Sequence, residues 1–193
     1  MAAVLAACGG GSSSSNGGLN GLTRADPIDV STVTLPDITN GAASATRTMV
    51  AEPGRLLIAY FGYTNCPDVC PTTLTDLKLA YEKVGDAVAD KIDTVFVTVD
   101  FARDTPEKLN DYIASFLPGM HALRATNTDD LEAAKAPFGV LSSVTANPDG
   151  MVEVTHSAVT YAIDATGHII CEWPFGTHRD AIAHDLKILT ADL

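Results

Sequence analysis

The sequence predicts an α/β protein with a central mixed sheet flanked by helices. Three observations carry this. Leu56-Leu57-Ile58-Ala59-Tyr60-Phe61 is an almost continuous apolar run, as expected of a strand covered on both faces. Thr94-Val95-Phe96-Val97-Thr98-Val99 is a second such run, rich in β-branched residues that favour strands. Between them, Leu74, Leu77, Tyr81 and Val84 recur near helical spacing, so a helix connects the two.

Taken in order, Thr32–Leu35 and Thr46–Val50 read as short strands around a Gly41-Ala42-Ala43 loop, an N-terminal hairpin extension. The first helix is expected from Pro71 to about Val88. Asp104-Thr105-Pro106-Glu107 opens another: Asp104 suits the cap, Pro106 the first turn and Glu107 a capping box. That helix is expected to run to Leu117, before Pro118-Gly119. Ala122–Ala125 reads as a short strand, Asp129–Ala136 as a short helix and Asn147-Pro148-Asp149-Gly150 as a turn. Ala158–Asp164 and His168–Glu172 form a hairpin through Ala165-Thr166-Gly167, and Thr177–Leu193 is the last helix. The order β-α-β-α-β, hairpin, helix is the thioredoxin-like pattern, and periodicity alone leaves other α/β folds open.

The chain has 193 residues, 46% of them hydrophobic and 19% charged, a composition that supports a packed core. Its net charge of −12 would repel phosphate backbones, which excludes a nucleic-acid binder and favours basic or cationic partners. No run of about 18 apolar residues offers a membrane-spanning helix.

Residues 1–8 read as the remnant of a signal peptide. Leu5-Ala6-Ala7-Cys8 resembles a lipobox, in which small residues precede a cysteine that receives the lipid. The positive n-region of a full signal is missing, since Arg24 is the first basic residue. Residues 9–23 are rich in Gly and Ser and read as a flexible tether. Residues 24–193 form the expected domain. A lipid anchor on Cys8 places it outside the cytoplasm, at the membrane.

The most informative stretch is Tyr63-Thr64-Asn65-Cys66-Pro67-Asp68-Val69-Cys70-Pro71. It lies where the first buried strand ends and a helix begins. Four-residue spacing brings Cys66 and Cys70 to one face of a helical segment, and helix N-terminal amides favour thiolates. Such a pair can close a disulfide or share a soft metal ion, and Cu(I) is the softest common candidate. Alone, a CxxxC spacing fixes neither chemistry.

Thr155-His156-Ser157 precedes the strand starting at Ala158. In a thioredoxin-like fold this loop faces the cysteine loop. Neutral imidazole suits copper, so Cys66, Cys70 and His156 together make a trigonal Cu(I) site able to add a ligand on oxidation to Cu(II). The remaining candidates read as structural. Cys171 suits the core, Met120 and His121 a loop, and His168, His178 and His184 turns and helix surfaces.

With these residues in view, the chain resembles the SCO/SenC family of copper-binding assembly factors for cytochrome c oxidase. Three blocks carry the likeness: Tyr60 to Pro71, Val97 to Glu107, and His156 to Asp164. The resemblance implies a thioredoxin-like fold and copper held by Cys66, Cys70 and His156. It implies a membrane-anchored protein on the periplasmic side that serves subunit II of cytochrome c oxidase. A second periplasmic copper chaperone or a thiol reductase is the further partner implied. Asp68, often acidic in the family, is a candidate for tuning the site or docking. Some members act as thiol reductants, so the alternative function is a thiol–disulfide oxidoreductase working through Cys66 and Cys70, which leaves His156 idle. A peroxidase would need Thr64 and Arg103 or Arg124 beside a cysteine.

Overall fold

The structure, a computed structural model, describes residues 18–39, 41, 45–146 and 152–193. Cys8 and its lipobox, residues 9–17 of the tether, Ala42-Ala43 and the Asn147–Gly150 turn lie outside the described residues. The strands are β1 (Ile28–Asp29), β2 (Thr34–Asp37), β3 (Ala45–Thr48), β4 (Leu56–Gly62), β5 (Ile92–Thr98), β6 (His121–Leu123), β7 (Ser142–Ala146), β8 (Val152–His156), β9 (Val159–Ile163) and β10 (His168–Pro174). The helices are α1 (Val69–Val84), α2 (Asp86–Ala89), α3 (Pro106–Ala114), α4 (Thr128–Lys135) and α5 (Arg179–Leu189).

Eight strands form one mixed sheet in the order β1-β10-β9-β4-β5-β6-β2-β3. At its centre β4 is buried along all seven residues, as the unbroken apolar run requires. β4 and β5 pair in parallel from Leu56↔Ile92 to Gly62↔Thr98, so their C-terminal ends lie side by side. β9 runs antiparallel on the other side of β4. Helices α1 and α5 pack together, while α3 meets β6 and α4 meets β2. The expected mixed sheet, flanking helices and N-terminal hairpin (β2–β3) are all present.

The structure departs from these expectations at four places. The first long helix is interrupted at Gly85, whose φ of 80° leaves the helical region. The cap of α3 is Thr105, not Asp104: the Thr105 hydroxyl accepts the Lys108 N–H at 3.4 Å, and the Asp104 side chain is fully buried elsewhere. That helix stops at Ala114 instead of Leu117. Finally, β7 and β8 form a separate two-stranded ribbon from Ser142↔His156 to Ala146↔Val152. Its residues are largely half-buried or exposed, so no apolar run announces it.

The expected tether extends to residue 23, but residues 20–22 are fastened to the domain. Asp185, fully buried, accepts hydrogen bonds from the Asn20 amide (2.8 Å), the Asn20 side chain (2.9 Å), the Gly21 amide (2.8 Å) and Trp173 Nε1 (2.8 Å). Leu22 adds a bridge to Glu172 in β10. Gly21 is required here, because a Cβ would lie 2.3 Å from Cys171 Sγ and 2.8 Å from the Trp173 ring.

Burial opposes ionisation of Asp185, but these donors outweigh it and hold the carboxyl below its ordinary value. Its contribution is therefore present above the unfolded pKa of about 3.9 and is lost as pH falls through the lower folded value. Asp185→Ala is expected to destabilise the fold by about 3 kcal/mol, the scale of leaving buried donors unpaired. Urea unfolding at neutral pH measures this, and a change under about 0.5 kcal/mol, typical of a free surface site, contradicts it.

Candidate metal centre

The cysteines are placed by the end of β4. After Gly62 the chain turns, with the Cys66 N–H donating to the Tyr63 carbonyl at 3.3 Å. Helix α1 begins at Val69, and Cys70 falls in its first turn. The first-turn amide of Cys70 donates to Cys66 Sγ at 3.3 Å. Cys66 is 9% exposed and Cys70 is fully buried. The helix terminus thus serves Cys66. For Cys70 the expected lowering is overturned: burial pushes its thiol up to about 12.

His156 is the last residue of β8, at the end of a strand where a loop was expected. Its Nδ1 lies 3.0 Å from the Ser157 carbonyl, an acceptor, so Nδ1 carries the proton and Nε2 presents its lone pair. Burial lowers the imidazole's pKa and favours the neutral ring. Nε2 lies 3.4 Å from Cys70 Sγ. The ligand atoms of Cys66, Cys70 and His156 all lie within 4.8 Å of one another, which makes them the metal-competent cluster found among the described residues.

Several neighbours hold this arrangement. The Tyr60 and Tyr63 rings meet the imidazole edge-on, at centroid distances of 6.2 and 5.6 Å. The Tyr63 hydroxyl donates to the Val154 carbonyl at 3.3 Å, tying the cysteine turn to β8. At Gly62 a Cβ would lie 2.8 Å from Phe96 Cζ, 2.9 Å from Cys70 Sγ and 3.0 Å from Tyr60 Cε1, so only glycine lets the sulfur approach the strand. A glycine closing an apolar run is the sequence signal for such close approach. A cleft of about 340 Å³ opens beside Cys66 and His156, walled by Val69, Val154 and Phe175. Phe175 is 48% exposed and carries no sequence signal of its own. Asp68 is exposed on the cleft wall, and its carboxylate accepts only from the Thr72 hydroxyl, at 3.4 Å, among the described residues.

The other candidates lie elsewhere. Cys171 is buried against the N-terminal segment. Met120 is buried, and His121 Nδ1 sits 2.8 Å from Asp37. His168, expected in a turn, is the first residue of β10 and pairs with Asp29 of β1, while His178 caps α5 and His184 lies beside Asp185. Arg103 pairs with Asp100. The Arg124 guanidinium donates to the Phe101 and Asp104 carbonyls, and the Thr64 hydroxyl donates to Asp104. The grouping a peroxidase needs is therefore not assembled. Cys171→Ala is expected to leave Cu(I) affinity unchanged in a chelator competition. A loss would implicate a ligand outside the cluster.

Two sulfurs and one imidazole nitrogen suit Cu(I), which thiolates select. They fall short of the four ligands of a closed structural zinc site. This donor set, at the end of the central strand of a mixed α/β sheet, defines a thioredoxin-like protein with a soft-metal or dithiol centre. The SCO1/SenC family profile matches residues 39–191, and the chain belongs to that family. Over 117 residues it is 38% identical to the SCO2-like protein RP587 of Rickettsia prowazekii, covering 59% of this chain and 56% of that one. The apo Sco1 structure from Thermus thermophilus superposes with a TM-score of 0.73 at 26% identity, covering 89% of this chain and 96% of that one. ScoI of Bradyrhizobium japonicum, solved with copper bound, gives 0.68 at 28% identity, covering 81% and 96%. The chain spans 39–65% of the length of the curated relatives compared.

Proposed function

We propose that this protein is a copper metallochaperone that carries Cu(I) on Cys66, Cys70 and His156 for assembly of the binuclear copper site on subunit II of cytochrome c oxidase. The observation that carries the reading is the grouping of two thiols and one neutral imidazole within 4.8 Å. A structure at 28% identity that holds copper supports it. Copper is the cargo. On loading, both thiols lose their protons, the imidazole offers Nε2, and the Ser157 carbonyl fixes the ring. The open cleft beside Cys66 gives an incoming ligand from the target a path to the metal. Transfer then runs associatively through mixed coordination. The lipobox at Cys8 supports anchoring on the extracytoplasmic face of the membrane, and the net charge of −12 favours a basic donor chaperone.

The second reading, a thiol–disulfide reductant acting on the target's cysteines, is favoured by the closeness of the same two sulfurs. It gives His156 no task. Cu(I) competition against a chelator separates the two, using the reduced full chain and His156→Ala. Tight one-to-one binding that weakens at least about 10-fold in His156→Ala, the scale set by a lost metal-site partner, supports the chaperone. Weak binding indifferent to His156 leaves the dithiol chemistry.

A further inference from the structure

The structure assigns Asp104 as a positioning residue for the metal centre, acting through Thr64; this rests on the reading of Cys66, Cys70 and His156 as the working groups. Asp104 lies between β5 and α3, in the second of the sequence blocks, far from the cysteines along the chain. Its side chain is fully buried. Oδ1 accepts from the Thr64 hydroxyl at 2.6 Å, and Oδ2 accepts from the Thr64 amide at 3.1 Å and the Thr98 hydroxyl at 2.5 Å. Among the described residues no cation pairs with this carboxylate, because Arg103 is turned to Asp100 and the Arg124 guanidinium reaches backbone carbonyls. Both of its oxygens therefore serve the ends of the two central strands.

The arrangement has a direction. Thr98 is the last residue of β5 and pairs in register with Gly62, the last of β4, and the Val99 amide donates to the Gly62 carbonyl at 2.8 Å. This side of the network is rigid sheet. Thr64, by contrast, sits in the turn between β4 and α1, two positions before Cys66. Within that turn the other backbone bond is the 3.3 Å contact from Cys66 to Tyr63. The doubly held Thr64 is thus where the sheet grips the cysteine turn. Buried charge-assisted hydrogen bonds are among the stronger ones, and outer partners that orient ligands are worth about 10–100-fold in metal affinity. Capping, the sequence-based reading of Asp104, is performed by Thr105 instead. The carboxylate is free to do this other work.

Substitutions at both ends of the link test the assignment. Thr64→Val keeps the shape and removes the hydroxyl donor, and Thr64→Ser restores it. Asp104→Asn turns an amide N–H toward groups that themselves donate, which releases the turn. Asp185→Ala lowers stability through the N-terminal segment and Trp173, outside the ligand cluster, and serves as the matched control. Each full-length variant is titrated with Cu(I) against a chelator, and each Cys66–Cys70 pair is equilibrated with a glutathione buffer. In that buffer two glutathione thiols supply the two electrons and two protons that reduce one disulfide. Thermal unfolding is recorded alongside.

The expected result is a loss of about tenfold in Cu(I) affinity for Thr64→Val and Asp104→Asn, with a shifted dithiol–disulfide equilibrium. Thr64→Ser returns to native values, and Asp185→Ala keeps native copper and redox behaviour despite its lower melting temperature. Native behaviour in Thr64→Val and Asp104→Asn overturns the assignment. So does a loss that merely follows melting temperature through all variants, Asp185→Ala included. If the native chain itself takes up no Cu(I), the metallochaperone reading fails, and the glutathione equilibrium alone decides whether Asp104 positions the cysteine pair.

Discussion

Cys70→Ser is expected to abolish tight Cu(I) binding, lowering affinity by more than the roughly 10–100-fold typical of losing an outer partner. Of the three proposed ligands Cys70 has the least freedom: its sulfur is fully buried, wedged against Gly62 and 3.4 Å from His156 Nε2. Serine offers a hard, poorly ionised oxygen where Cu(I) prefers a soft thiolate. The remaining thiol and imidazole leave two donors. Cys66→Ser follows the same direction and in addition weakens the bond received from the Cys70 amide. A chelator competition on the reduced proteins measures both. Affinity within a factor of about two of the native chain, against the penalty expected for a lost ligand, contradicts the assignment of these sulfurs.

Gly62→Ala is expected to damage stability and metal binding together. The added methyl falls 2.8–3.0 Å from Phe96, Cys70 Sγ and Tyr60, all of them buried. Overpacking of this kind costs about 1–3 kcal/mol. The Phe96 ring is itself braced by Tyr60 and Tyr112, which leaves the cysteine sulfur as the group that moves. Urea unfolding should show the loss of stability, and Cu(I) competition should show weakened binding in the fraction that remains folded. A variant as stable as the native chain with unchanged copper affinity would show that the strand end tolerates a side chain.

The parts of this site legible in the sequence are those whose chemistry is local. Cys66 and Cys70 stand at a strand-to-helix junction marked by an apolar run and flanking prolines, and His156 precedes the next buried strand. The parts that were not legible arise from tertiary contacts. Asp104 has a capping residue's sequence context, yet its carboxylate is drawn inward by Thr64 and Thr98. The β7–β8 ribbon that carries His156 is half-exposed and short, so it lacks the apolar signature that reveals β4 and β5. Cys70 is placed at a helix start, where the dipole favours a thiolate, but burial in the core governs the thiol instead. Residues 20–22 share the tether's polar, glycine-rich composition. The distant Asp185, which holds Asn20 and Gly21, and the backbone of Glu172, which pairs with Leu22, reveal that they are fixed.

The central claim is a three-ligand centre made by two sulfurs and one nitrogen. X-ray absorption at the copper edge, on the reduced full chain loaded with one equivalent of Cu(I), tests it most directly. The structure predicts three-coordinate copper with two sulfur scatterers and one imidazole nitrogen, and loss of the imidazole signal in His156→Ala. Copper bound by sulfur alone, with the same spectrum in His156→Ala, would contradict it.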